Sequence, residues 1–177
     1  MISTLKKLDI DATLYLNNKY ASINFIRKLL IFVTHSSASI MLIVYSIVLY
    51  YFTNELTDKM LIQGLTAFTY QVPIYLLSKN IIKRQRPYIK HKITLYINPP
   101  DHYSFPSGHT ASAVVITLLV GKFFPSLLLF FIFWMVLIFI SRVSLGLHYL
   151  SDIIAGSVLG ISSYYASILI VKYFLFY

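Results

Sequence analysis

The sequence predicts an all-α integral membrane protein, a bundle of five transmembrane helices preceded by an N-terminal amphipathic helix lying in the interface. Two observations carry that prediction. Of the 177 residues, 58% are hydrophobic and only 12% charged, against about 45–50% and 25% in soluble domains. The charges are also clustered, leaving charge-free stretches close to the roughly 20 helical residues that a bilayer core requires. A mean hydropathy of +0.72 agrees. Together these exclude a disordered chain, a collagen-like repeat and an ordinary soluble enzyme. With no cysteine, the chain has no disulfide, thiolate metal site or cysteine nucleophile. The net charge of +9, from 15 basic and 6 acidic residues, lies beside apolar spans. It therefore points to anionic lipid headgroups and not to nucleic acid.

The chain reads as one domain, residues 1–177. No uninterrupted apolar run with a small-residue cleavage site follows Lys6 and Lys7, so the N-terminus reads as retained. Residues 1–35 mix Leu14, Leu16, Phe25, Ile26, Leu29 and Leu30 with Asn17, Asn18, Lys19, Arg27 and Lys28. A charge at the bilayer centre costs about 2.5–3.5 kcal/mol, so this segment is expected at the interface; inserted over residues 12–33, it would make a sixth span. Uncharged spans follow at 36–52 and 60–78, the second holding Pro73. Residues 79–106 form one long polar loop with Lys79, Lys83, Arg84, Arg86, Lys90 and Lys92 and four prolines, a composition that suggests an anion site. Spans at 107–124 and 126–141, joined at Pro125, read as a helical hairpin. The last span, 152–172, carries Gly156 and Gly160, small residues suited to close helix packing.

Threaded back and forth, these spans bring the ends at Lys79, Ser107, Arg142 and Asp152 to one membrane face. Lys79 and Arg86 are two helical turns apart, so on a continuing helix both cations project from one side, with Pro87 stopping the helix. Two such cations can grip different oxygens of one phosphate; read alone, they serve equally as a headgroup anchor. Pro106-Ser107-Gly108-His109 opens a helix: Ser107 can cap it, Gly108 lets a ligand approach, and the first-turn N–H groups make an anion cradle at which His109 points. Alone, His109 reads as well as an interfacial imidazole bonded to a carbonyl. His148 and Asp152 are four apart. A helix starting near Tyr149 places the carboxylate beside the imidazole, where it would fix the tautomer and leave Nε2 free to attack phosphorus. Asp152 is alternatively a helix N-terminal carboxylate favoured by the dipole. Arg142, leaving an uncharged helix, calls for an anionic partner. His35, His91 and His102 read as interfacial bonding groups, His102 being held open as a headgroup contact.

Lys79-x6-Arg86-Pro87, Pro106-Ser107-Gly108-His109 and Ser141-Arg142-x5-His148-x3-Asp152 together resemble, in order and without a departure, the three-part signature of the type 2 phosphatidic acid phosphatases. The sequence is similar to the small bacterial membrane lipid phosphatases of that superfamily over residues 60–172. The resemblance implies that His148 is a nucleophile forming a phosphohistidine, oriented by Asp152. His109 would protonate the leaving lipid oxygen, and Lys79, Arg86, Ser107, Gly108 and Arg142 would hold the phosphoryl oxygens. It implies no cofactor and no metal, since fixed cations neutralise the equatorial oxygens.

The expected activity is hydrolysis of a lipid phosphate monoester or pyrophosphate in the bacterial cytoplasmic membrane. Undecaprenyl pyrophosphate and phosphatidylglycerophosphate or phosphatidate lead as substrates, and a lipid A 1-phosphatase of the same family is the alternative. A lipid-phosphate-binding protein without turnover is the rival of another class; a vanadate-dependent haloperoxidase, soluble and larger, fits poorly. The resemblance implies a site on the extracytoplasmic face, whereas the excess of Lys and Arg on the site's face favours the cytoplasm. A monomer is the simpler default.

Overall fold

The computed structural model describes residues 2–37, 44, 45, 47, 48, 51, 55–91, 93–99 and 101–174. Among them the helices are α1 (Ile2–Leu16), α2 (Asn24–Ser36), α3 (Glu55–Ile82), α4 (Gly108–Phe123), α5 (Leu128–Ser144) and α6 (Leu150–Phe174). A π turn (Asn17–Ala21) follows α1, a single helical turn (Pro87–Lys90) lies in the polar loop, and a 3₁₀ turn (Pro125–Leu127) joins α4 to α5. The expected span 36–52 lies largely outside the described residues, within which Val44, Tyr45, Ile47, Val48 and Tyr51 are helical.

Among the described residues, three helical stretches are long and apolar enough to cross a membrane: Glu55–Ile82, Pro125–Ser144 and Leu150–Tyr173. Their apolar surface faces outward. Only 22% of the most apolar window of Pro125–Ser144 is buried, and Leu129, Phe130 and Phe133 stand exposed. That arrangement is stable where the surroundings are lipid. With 16 residues, α4 reaches about 24 Å at 1.5 Å per residue, somewhat less than the hydrocarbon thickness.

The core of the bundle is α3, α4 and α6. Met60, Ala67, Val115, Leu119, Val120 and Tyr164 form its main buried cluster, and α4 packs most extensively on α6. Two glycines permit this. A Cβ on Gly156 would stand 2.5 Å from the Ser107 carbonyl oxygen, and one on Gly160 would stand 2.6 Å from that of Ala111. The small face of α6 therefore seats directly on the start of α4, which fixes Ser107 relative to Asp152: the Ser107 N–H donates to the Asp152 carbonyl at 3.1 Å.

Residues 12–33 form no continuous helix. The π turn and the extended Ile23 break them into two pieces. α2 packs on α5, where Val33 joins Ala113 and Ile138 in a second cluster. α1 departs from a simple interfacial helix. Its buried stripe, continued into the π turn, is polar, Asp9, Thr13 and Asn17 at four-residue spacing, while Leu8 and Tyr15 are exposed. Lys6, Lys7 and Asp11 stay exposed, so polar groups line both the buried and the open side of α1.

Candidate active site

Four helix ends meet at one end of the bundle, and the side chains there are almost wholly buried. Lys79, Arg86, Arg142 and His148 are each at most 4% exposed, and Ser107 and Asp152 are 0%. Burying three cations together is costly unless each finds an acceptor or an anion, so their partners describe the site.

Lys79 comes from the last turn of α3. The helix then ends at Ile82 and Lys83 adopts φ +48°, so the expected register of Lys79 and Arg86 on one continuous helix is incorrect. Arg86 sits instead on extended backbone (φ −71°, ψ 154°) just before Pro87, which opens the short turn and does not stop a helix. The reversal after Ile82 returns the guanidinium to the same place. Lys79 Nζ donates to Asp101 Oδ1 at 2.6 Å, and Arg86 Nη2 donates to that same oxygen. Tyr75 Oη donates to Asp101 Oδ2 at 2.8 Å. Burial alone would push the Asp101 carboxyl up; Lys79 and Arg86 hold it well below the usual carboxylate range. Two expected phosphate ligands thus already grip an oxyanion.

The turn after α5 presents the histidine. Gly146 takes φ +69°, the left-handed conformation that ends a helix, and a Cβ there would also strike Ile93. Two residues on, His148 Nε2 lies 3.2 Å from Arg142 Nη2 and 3.4 Å from Arg86 Nη1. Guanidinium groups only donate, so the nitrogen facing them is the one with the lone pair, and Nδ1 carries the proton. Burial, then Arg142, Arg86 and Lys79, push the imidazole well below its ordinary pKa. His148 is a neutral base with its lone pair aimed into a cluster of cations. Arg142 is oriented by Thr34 Oγ1 of α2 at 2.9 Å, and its Nε has no hydrogen-bond partner among the described residues.

Asp152 lies behind the histidine. Its Oδ2 accepts the Tyr149 N–H at 2.9 Å, closing the first turn of α6 as a third-position carboxylate does. The same oxygen is 3.6 Å from His148 Nδ1, a charge contact somewhat longer than a hydrogen bond. Its Oδ1 accepts from Arg84 Nη1 at 2.6 Å. On the facing element Ser107 caps α4, its Oγ accepting from Thr110 Oγ1 at 2.9 Å. Gly108 is required by packing: a Cβ would meet the Tyr75 ring at 2.8 Å. His109, one residue on, lies half-buried in the first turn of α4. Every expected site residue is therefore gathered at this end of the bundle.

The family model of the PAP2 superfamily matches residues 41–176. The chain belongs to the PAP2 superfamily. Its fold is shared with solved members. The structure of Aquifex aeolicus LpxE aligns with a TM-score of 0.80 and 21% identity over 92% of this chain and 95% of that one. The transmembrane PAP2-type phosphatidylglycerolphosphate phosphatase of Bacillus subtilis aligns at 0.77 and 23% over 98% and 90%. Among curated proteins, decaprenylphosphoryl-5-phosphoribose phosphatase of Mycobacterium tuberculosis is 35% identical over 101 residues, 56% of this chain. The match spans about half that relative's length, 54%.

In this PAP2 chain the structure adds residues that sequence reasoning missed. Asp101, Tyr75, Arg84, Asp9 and Thr34 each bond directly to an expected site residue or to its partner. Only Asp101 left a signal, an acid six residues before Ser107 inside a basic loop. Its neighbour His102, held open as a headgroup contact, is exposed.

Proposed function

We propose that the chain is a membrane lipid phosphatase that hydrolyses a phosphate monoester or pyrophosphate without a metal, through a phosphohistidine on His148. The observation that carries this is the lone pair of His148 Nε2 between the guanidinium groups of Arg142 and Arg86 at 3.2 and 3.4 Å. A neutral nucleophile there meets a phosphoryl group whose oxygens those same cations neutralise. Lys79, Arg86, Arg142, the Ser107 hydroxyl and the first-turn N–H of Gly108 hold the equatorial oxygens. Asp152 Oδ2 stabilises the imidazolium that forms as Nε2 bonds to phosphorus. His109 protonates the departing lipid oxygen and then takes a proton from the water that cleaves the phosphohistidine.

For the phosphate to enter, the Asp101 carboxylate must give up Lys79 and Arg86. Undecaprenyl pyrophosphate and phosphatidylglycerophosphate or phosphatidate are the leading substrates. Two similar proteins, named for a decaprenyl-linked phosphoribose and for phosphatidylglycerol phosphate, support that pairing. The enzyme works as a monomer in the bacterial cytoplasmic membrane with its site on the extracytoplasmic face.

The test is phosphate release by purified protein in detergent with EDTA, over polyprenyl pyrophosphate, phosphatidylglycerophosphate, phosphatidate and lipid A, with His148→Ala alongside. Release that survives chelation and vanishes in the variant is expected. Release by His148→Ala, or from no lipid by a folded preparation, would overturn the reading.

A further inference from the structure

Arg84 is absorbed by none of the three motifs, and α1 lies outside the residues matched by the family model, 41–176. The two nevertheless meet directly behind Asp152. Arg84 Nη1 donates to Asp152 Oδ1 and to Ser151 Oγ, each at 2.6 Å. Its Nη2 donates to Asp9 Oδ2 at 2.6 Å. Asp9 in turn accepts the Ser151 N–H at 2.9 Å on Oδ1 and the Ser151 hydroxyl at 2.6 Å on Oδ2. The Arg84 guanidinium also covers the Tyr149 ring, 4.0 Å from its centroid. Every donor that Arg84 directs at these two carboxylates is thereby fixed by two elements, α6 and α1.

A helix that docked for packing alone would bury its apolar side. α1 instead buries Asp9 and Thr13 and leaves Leu8 and Tyr15 exposed, and Asn17 of the π turn that continues it donates to the Ser144 carbonyl at the end of α5 at 2.7 Å. The polar stripe of α1 thus grips both ends of the turn that presents His148. We propose that Asp9 and Arg84 are positioning residues for the reaction: Asp9 fixes Arg84, Arg84 fixes Asp152 Oδ1, and the remaining oxygen is thereby held toward His148 Nδ1. Asp152 has one oxygen committed on each side, so the direction of its free lone pairs follows from where Arg84 is held. This inference rests on the role proposed for His148.

The experiment is a double-mutant cycle of Asp9→Asn and Asp152→Asn in the full chain, with Asp9→Glu as the conservative variant, reading kcat and KM for lipid phosphate and the imidazole ¹⁵N shifts of His148. Asp9→Asn is expected to lower kcat about tenfold at nearly unchanged KM, and to do less than twofold further damage once Asp152 is Asn. Asp9→Glu is expected to restore most of the loss, and Asp9→Asn to move the His148 Nδ1 resonance. A merely structural Asp9 would instead lower kcat equally in both backgrounds and leave the resonance in place, which overturns the proposal. His148→Ala in the same assay separates the two ideas. If it still releases phosphate, the nucleophile assignment fails, while the His148 resonance compared between the unsubstituted chain and Asp9→Asn still reports whether Asp9 positions the imidazole.

Discussion

The role proposed for His148 sets opposing demands: it must be buried among cations to meet a phosphate, and it must remain uncharged to attack one. Burial and the neighbouring Arg142, Arg86 and Lys79 push in the same direction, away from the imidazolium. Its titration in the free protein is therefore expected below the ordinary histidine value near 6.5. A ¹⁵N titration of histidine-labelled protein would show the resonance lost in His148→Gln taking up its proton at a lower pH than a free imidazole does. The sign for stability follows. The unfolded chain binds the proton that the folded chain refuses, so stability falls as pH drops from about 6.5 toward the folded value. His148→Ala should lower phosphate release by roughly 10³-fold or more. Asp101 gives a second prediction at this scale. On the proposed mechanism this anion, held by Lys79 and Arg86, competes with phosphate, so Asp101→Asn should tighten inhibition by inorganic phosphate by roughly tenfold, or about 1.4 kcal/mol. An unchanged inhibition constant would show that the carboxylate is no competitor.

Among the elements, the seat of α6 on α4 is the most exacting. Gly156→Ala places a methyl 2.5 Å from the Ser107 carbonyl oxygen, and backbone cannot yield as a side-chain tip can. The cost is expected at about 1–3 kcal/mol, read as a lower thermal midpoint in detergent together with lost phosphate release. Gly64→Ala is the control, its new methyl meeting only a Leu119 side-chain carbon at 3.4 Å, with a change within about 0.5 kcal/mol. The elements also show where periodicity misleads. A seven-residue spacing reads as one helical face, but Lys83 reverses the chain, and Lys79 and Arg86 converge on Asp101 through tertiary contact. The N-terminal segment reads as amphipathic on composition. Which way its polar stripe turned depended on partners, Arg84, Ser151 and Ser144, distant in sequence by up to 142 residues.

For the whole molecule, the outward apolar belt and the inward polar cluster specify a lipid-embedded bundle with its chemistry at one end. Nitroxides placed at Leu129 and Phe133 are expected to be relaxed by oxygen dissolved in the bilayer and spared by a water-soluble nickel chelate; the opposite pattern would contradict the belt. Cysteine labelling at His91 and Glu55 in intact cells tests the orientation, with a Cys at His91 expected to react from outside. The sequence by itself determined the membrane class, because composition and charge-free length are properties of the chain alone, and it singled out Lys79, Arg86, Ser107, Gly108, His109, Arg142, His148 and Asp152 as candidate site residues, because their order and spacing are local. Only the tertiary structure decided that Asp101 fills the cation pair, that Arg84 and Asp9 stand behind Asp152, and that Nε2 of His148 faces the guanidinium groups. Each of these is a buried charge or lone pair seeking a partner, and such partners are chosen by proximity in space, which no spacing along the chain encodes.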